Sequence, residues 1–397
     1  MRAFVYTKKG YIEEKELKDV HLSTTGETAE EDRYACVLKP VFVSPCSSDA
    51  HTVYAGDGPR RPDLILGHEG IAEVLEAGDR VRDFKKGDLV AVSAVMPEPG
   101  DIYGHAGRPF SAAKLGRNID GMWAERFKVP MADANLARIP EGLSMESALM
   151  AVDMMATGAT AAEEAEITEG ISVLVIGSGA VGLMAAMSAA RMGAWRIYMI
   201  GSDRNAASIE AARQFGVDAY ISYKDGRLIF ADKEAEHLYK AWAFDSSLHK
   251  DPRANYTGNP ATETMFAITG GEGVDAALIC GDGNKALIQA SDLIKYGGGR
   301  AVNVSYMEGS GTVELPIFSL GRGMSGKSFK FCLSRGGRTW TESMLKTAAE
   351  LEKKDALSAP GILVTHHLKG FDKIPEGLKM MHERPDGLIK IMVETGL

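Results

Sequence analysis

The spacing of apolar residues changes near residue 156. Before it, apolar positions come in short β-type runs: Ala35–Val43 reads as a strand interrupted by Pro40 and ending at Ser44-Pro45-Cys46. The stretch 64–75 and the run Gly87–Val92 add short β segments punctuated by glycine turns, so the first 150 residues read as β-rich. From Met96 to Met122 the periodicity fades into glycine, proline and mixed polar residues, which predicts a long loop of the kind that often carries function. Ser144 to Asp153 returns to helical spacing.

Beyond the change of rhythm, Ser172–Ile176 is uniformly apolar and Val181–Met192 is an alanine-rich helical stretch. Arg196–Gly201 and Ala206–Phe215 repeat the pair, and 274–280, 285–294 and 300–304 continue it. Alternation of this kind predicts an α/β, doubly wound parallel sheet reaching about residue 334. The segment 227–259 breaks the alternation and reads as an insertion, with a helix over about 232–243 that either exposes Trp242 or packs it on a neighbour.

Composition narrows the class. A chain of 397 residues exceeds what one core usually covers, and 45% hydrophobic with 25% charged residues excludes a disordered chain. The net charge of −9 argues against a nucleic-acid partner. The amino-terminal residues lack an apolar signal core, and no apolar run reaches the roughly 18 residues of a membrane span, so a cytoplasmic protein without a membrane partner is expected. Four cysteines without a Cys-x-x-Cys pair exclude a disulfide framework, and Cys36, Cys280 and Cys332 read as small buried hydrophobes.

Two sets of residues carry chemistry. Gly177-Ser-Gly179-Ala-Val181-Gly182 lies between a predicted strand and helix, where backbone N–H groups can approach a pyrophosphate. Asp203 follows Gly182 by 21 residues at the end of the next strand, a place from which a carboxylate binds ribose hydroxyls and repels a 2′-phosphate. Arg204 beside it is a cation that could pair with such a phosphate. Separately, Cys46, His68 and Asp153, with Glu69 next to His68, have the ligand chemistry of a catalytic zinc, which takes about three protein ligands and keeps one position open.

Ser44-Pro-Cys46-Ser-Ser48-Asp-Ala-His51, Leu66-Gly-His68-Glu69, Asp153-Met-Met-Ala-Thr-Gly158 and Gly387-Leu-Ile-Lys390 are together similar to the motifs of the zinc-containing medium-chain alcohol dehydrogenases. The resemblance is strongest to the bacterial secondary-alcohol branch, whose third zinc ligand is an aspartate. It implies a GroES-like β-rich catalytic domain over 1–156 and 335–397 and a Rossmann dinucleotide-binding domain over 157–334. It implies Cys46, His68 and Asp153 as zinc ligands with Glu69 beside them, Ser48 as the hydroxyl that accepts the alcohol proton and His51 as the next relay station. His51 also reads as an ordinary surface histidine. Lys390 becomes a cofactor contact alongside Gly177, Gly179, Val181, Gly182, Asp203 and Arg204.

The region matching the family's structural zinc lobe, about 95–120, holds no cysteine, so one zinc per chain is expected. Asp203 stands where the secondary-alcohol enzymes have arginine, and NAD(H) is expected over NADP(H). Ala94, Ala113, Tyr306, Leu333 and Ser334 become pocket candidates, although they also read as core packing. Ala113 falls where those enzymes place a tryptophan, which implies room for a bulky, cyclic or steroid-like secondary alcohol. The expected function is zinc-dependent hydride transfer between NAD(H) and a secondary alcohol or ketone by a homo-oligomer, dimer or tetramer. The alternatives are a zinc-free reductase of activated double bonds and a non-enzymatic nucleotide-binding protein.

Overall fold

The computed structural model describes residues 1–26, 28–55, 63–97, 112–244, 259–281, 283–305 and 326–397. The chain divides into two units, 1–156 with 334–397, and 157–333. No helix among the described residues is long and apolar enough to cross a membrane.

The first unit is built on a seven-stranded sheet in which Val364–Lys369, Lys390–Glu394, Cys36–Val43, Gly70–Ala77, Leu89–Val92 and Leu136–Arg138 are neighbours in that order, with Phe127–Val129 also pairing Cys36–Val43. All these pairings are antiparallel except Val364–Lys369 on Lys390–Glu394. Apolar side chains, among them Leu38, Val43, Val74, Trp123 and Phe127, fill its core. The apolar stretch that begins at Leu64 does not start a strand; the strand opens only at Gly70. Gly67 explains the delay: its φ of +91° turns the chain, and a Cβ there would collide with the Trp123 indole.

Part of the predicted long loop is regular, since Val95–Pro97 pairs with Ala112–Lys114; residues 98–111 lie outside the described residues. The helix Met145–Val152 is capped by Ser144, whose Oγ accepts from Ser147 N–H at 3.2 Å. Glu352 then accepts from Ser144 N–H at 3.1 Å and from its hydroxyl at 2.7 Å, which fixes the helix start.

In the second unit the strand order is Leu228–Ala231, Ala219–Ser222, Arg196–Gly201, Ser172–Ile176, Ala276–Ile279, Arg300–Asn303, Ser328–Phe331, parallel throughout except for the first pair. Every residue of Ser172–Ile176 is buried, as a strand covered on both faces requires. Its two neighbours are the next strand in sequence and a much later one, so the order reverses at its C-terminal end. Ligands in open α/β sheets bind at such a switch point. Within the described part of the insertion, Leu228–Ala231 extends the sheet, and Lys233–Phe244 brings Trp242 into the core with Ala235, Met265 and Phe266.

The glycine turn leaves the central strand so tightly that a Cβ on Gly182 would run into the Gly177 carbonyl oxygen. Gly182→Ala should therefore cost about 1–3 kcal/mol through overpacking against backbone. A thermal midpoint equal to that of the unaltered protein would contradict this close approach.

Candidate active site

Cys46 ends the strand Cys36–Val43 by way of Ser44-Pro45 and caps the short helix Ser47–Ala50. Its extended backbone, φ −105° and ψ 158°, lets the thiol turn back on the helix start and accept from Ser48 N–H at 3.5 Å. Asp49 completes a capping box by accepting the Cys46 N–H at 3.0 Å. Its other oxygen lies 3.1 Å from His68 Nδ1, so one carboxylate orients two of the predicted ligands.

The positive-φ turn at Gly67 delivers His68 and Glu69 to the same place, and His68 is only 2% exposed. With Nδ1 held by Asp49, Nε2 faces Ser48 Oγ at 3.3 Å, Asp153 Oδ2 at 3.4 Å and Glu69 Oε1 at 3.7 Å. Asp153 is the C-cap of the Met145–Val152 helix, in a non-helical φ/ψ of −139°/−59° that points it off the helix end. Ligand atoms of Cys46, His68, Glu69 and Asp153 lie within 4.8 Å of one another, and all four residues are buried.

Charged groups in this cluster meet one another out of contact with solvent. Glu69 is 0% exposed and receives the Lys390 ammonium, itself 1% exposed, at 2.8 Å on Oε1. Its Oε2 is buried with no hydrogen-bond partner among the described residues. Burial raises the Glu69 pKa, and Lys390 offsets only part of that. Burial likewise pushes the Asp153 carboxyl up, but the His68 hydrogen bond and the Lys114 charge hold it below the usual carboxylate range. Burial opposes charge on His68, yet Asp49 and Asp153 keep its pKa well above the ordinary histidine value. The thiol, imidazole and carboxylate donors, with one buried carboxylate oxygen left without a hydrogen-bond partner among the described residues, fit a zinc ion.

Of the other predicted residues, His51 is half-buried and begins the helical turn that follows Ser48. Ala94 is buried, and its N–H reaches the Val152 carbonyl at 3.5 Å, next to Asp153. Ala113 lies on the strand Ala112–Lys114, opposite Met96. Ser334 is buried in the first unit, whereas Leu333 ends the second unit with 55% exposure. Tyr306 lies outside the described residues. Lys390 belongs to the first unit, with its ammonium on Glu69.

In the second unit Gly177 takes φ +108°, and Gly179 caps the helix Ala180–Arg191 with open space where a Cβ would project. This open cradle at a helix start fits a pyrophosphate. Val181 and Gly182 continue into the helix. Ser202 N–H donates to Ser178 Oγ at 3.2 Å, tying the glycine turn to the turn that bears Asp203 and Arg204. Asp203 does not stand alone there: Arg227 Nη2 donates to its Oδ2 at 3.1 Å.

Sequence reasoning missed Asp49, Lys114 and Arg227. Asp49 carried a signal, an acidic residue three positions after a cap ahead of a helical turn. For Lys114 and Arg227 the sequence offered none. Of the remaining cysteines, Cys36 is buried in the sheet, where burial chiefly pushes its thiol up to about 12. Cys280 and Cys332 are half-buried, and burial raises the Cys280 thiol to about 12 as well.

A buried thiol, imidazole and carboxylate set in one unit and a dinucleotide-type turn in the other define a metal-dependent dehydrogenase. The Alcohol dehydrogenase GroES-like domain family matches residues 33–141, and the Zinc-binding dehydrogenase family matches 180–350. The chain belongs to the zinc-containing medium-chain alcohol dehydrogenases and is related to their bacterial secondary-alcohol branch. It is 35% identical to the NADP-dependent isopropanol dehydrogenase of Clostridium beijerinckii, over 91% of this chain and 93% of that protein. It is 34% identical to the NADP-dependent isopropanol dehydrogenase of Thermoanaerobacter brockii, over 91% and 92%. The alcohol dehydrogenase TADH from Thermus sp. ATN1 shares the fold, with a TM-score of 0.75 at 24% identity and all of both chains covered.

These relatives correct the expected preference for NAD(H), because both are named NADP-dependent. The reading of Asp203 as a free, phosphate-repelling carboxylate overlooked Arg227, which offsets its charge from 24 positions downstream.

The Lys390–Glu69 pair is buried on both sides, so breaking it should cost far more than removing it whole. In metal-stripped protein, Lys390→Met should lose about 3–5 kcal/mol, and the Lys390→Met/Glu69→Gln double variant should recover most of that. Denaturant titrations in which the two losses simply add would refute the coupling.

Proposed function

We propose that this chain is an NADP(H)-dependent, zinc-dependent dehydrogenase that interconverts secondary alcohols and ketones. The buried Cys46, His68, Glu69 and Asp153 cluster carries this reading. The names of the Clostridium beijerinckii and Thermoanaerobacter brockii relatives support the substrate class and the cofactor. When bound, zinc supplies Lewis-acid polarisation of the substrate oxygen and the nucleotide supplies or accepts the hydride.

Cys46, His68 and Asp153 would hold the metal, and Asp49 keeps His68 Nε2 turned toward it. Ser48 Oγ, half-buried and 3.3 Å from His68 Nε2, would take the proton of an alcohol bound there. His51, three residues on, is the next station toward solvent. The glycine turn 177–182 would seat the pyrophosphate, and Arg204, exposed in the turn after Arg196–Gly201, is available to a 2′-phosphate. Ala113 supports a pocket that also takes ketones bulkier than acetone.

Purified protein should contain about one zinc per chain and should oxidise propan-2-ol in preference to propan-1-ol. Asp153→Ala should lose metal and lower turnover at least about a hundredfold together. Activity that survives both chelation and that substitution would sink the metal reading, and a ketone panel graded from acetone to steroid size measures the pocket.

A further inference from the structure

The parallel strands Arg196–Gly201 and Ala219–Ser222 end side by side, with Gly201 paired to Ser222. The turns that follow them carry Asp203 and Arg204 on one side and Lys224, Asp225 and Arg227 on the other. Three cations against two carboxylates make a locally basic place in a chain of net charge −9. The first of these turns is held rigidly: Tyr220 Oη donates to the Ser202 carbonyl at 2.8 Å, and Ser202 N–H bonds Ser178 of the glycine turn. A nucleotide whose pyrophosphate sits on that glycine turn therefore has its adenosine ribose at Asp203.

Asp203 is the obstacle to a phosphate on that ribose. Its side chain is 15% exposed, so solvent screens it little, and an unpaired carboxylate there would oppose a dianion. Arg227 removes the obstacle. One Nη2 donor is spent on Asp203 Oδ2, Nε lies 3.8 Å from Asp225 Oδ2, and the side chain remains 63% exposed. A guanidinium carries five donors in a fixed plane, which leaves others to face an incoming phosphate.

We infer that Arg227, at the opening of the segment that interrupts the α/β alternation, determines cofactor choice: it ties down the Asp203 carboxylate and joins Arg204 in binding the 2′-phosphate. This rests on the NADP(H) reading above. It gives the insertion a function at its first residues, where Leu228–Ala231 anchors Arg227 by pairing to the sheet edge.

The test compares kcat/KM for NADPH and NADH, together with calorimetric binding of 2′,5′-ADP and 5′-AMP, in the unaltered enzyme, in Arg227→Ala and in Arg227→Ala/Asp203→Ala. Arg227→Ala should weaken 2′,5′-ADP binding about 10- to 100-fold while 5′-AMP changes less than about threefold. The NADPH/NADH efficiency ratio should fall at least fivefold, and the double variant should regain part of it, because the uncovered carboxylate is then gone. Arg227→Lys, which keeps the charge and loses the planar fork, should fall between. If the unaltered enzyme prefers NADPH and Arg227→Ala lowers the ratio less than fivefold, the role of Arg227 is overturned while the cofactor reading stands. A preference of the unaltered enzyme for NADH overturns the cofactor reading and the inference with it.

Discussion

Two carboxylates and a thiol buried around one imidazole, with the Lys390 ammonium hydrogen-bonded to one of the carboxylates, form the constraint on which the first unit depends. Cys46, Glu69 and Asp153 sit with His68 in a place almost closed to water, where an uncompensated charge is costly. Each member comes from a different device of the backbone. Cys46 is a helix cap, His68 and Glu69 follow a glycine turn, Asp153 ends a helix, and Lys390 opens a strand near the chain end. The elements that carry these residues are themselves pinned by hydrogen bonds, as Glu352 pins the helix of Asp153 through Ser144. A donor set held this firmly is preorganised to receive a cation.

The second unit meets a different constraint, closeness of backbone. Gly182 and Gly177 touch, Gly177 also approaches the backbone of Gly281, and Gly201 has no room for a Cβ beside Tyr220 and Ser178. Side chains at those positions would push apart the strand ends on which the glycine turn and the Asp203 turn stand. Here the requirement is for absent atoms, whereas the first unit requires charges that are present and paired.

Much of this was legible from local pattern. Uniformly apolar runs such as Ser172–Ile176 announced strands covered on both faces, and the extents of the helices Ala180–Arg191 and Ala206–Gln214 follow from apolar spacing to within a residue or so. Cys46, His68 and Asp153 stood out by residue type and by motif, but nothing in their spacing of 22 and 85 positions told that they converge. Legibility ended where a charge is answered from far along the chain. Lys390 reaches Glu69 across 321 positions, and the ionic partner of Asp203 comes from the start of an insertion. Periodicity records which face of an element is apolar; it carries no record of which distant cation a carboxylate will meet. The glycine turn expected within 64–75 answers to a residue just as distant, since a side chain at Gly67 would collide with the Trp123 indole, 56 positions away.

Two carboxylates, Glu69 and Asp203, show how exposure sets what a counter-charge does. Glu69 and Lys390 are both sealed from solvent, so neither is tolerable without the other, and the pair is bound to the integrity of the unit. Asp203 and Arg227 form a pair in which one partner is largely exposed, and such a pair adds little to stability. It leaves the guanidinium able to serve a second anion at small energetic cost. A buried pair fixes a site, and a half-exposed pair leaves its specificity open to change by single substitutions. On these grounds the buried Cys46, His68, Glu69 and Asp153 cluster is the part of the chain least open to substitution, and the turn that bears Asp203 is a part whose charges can change without disturbing the fold.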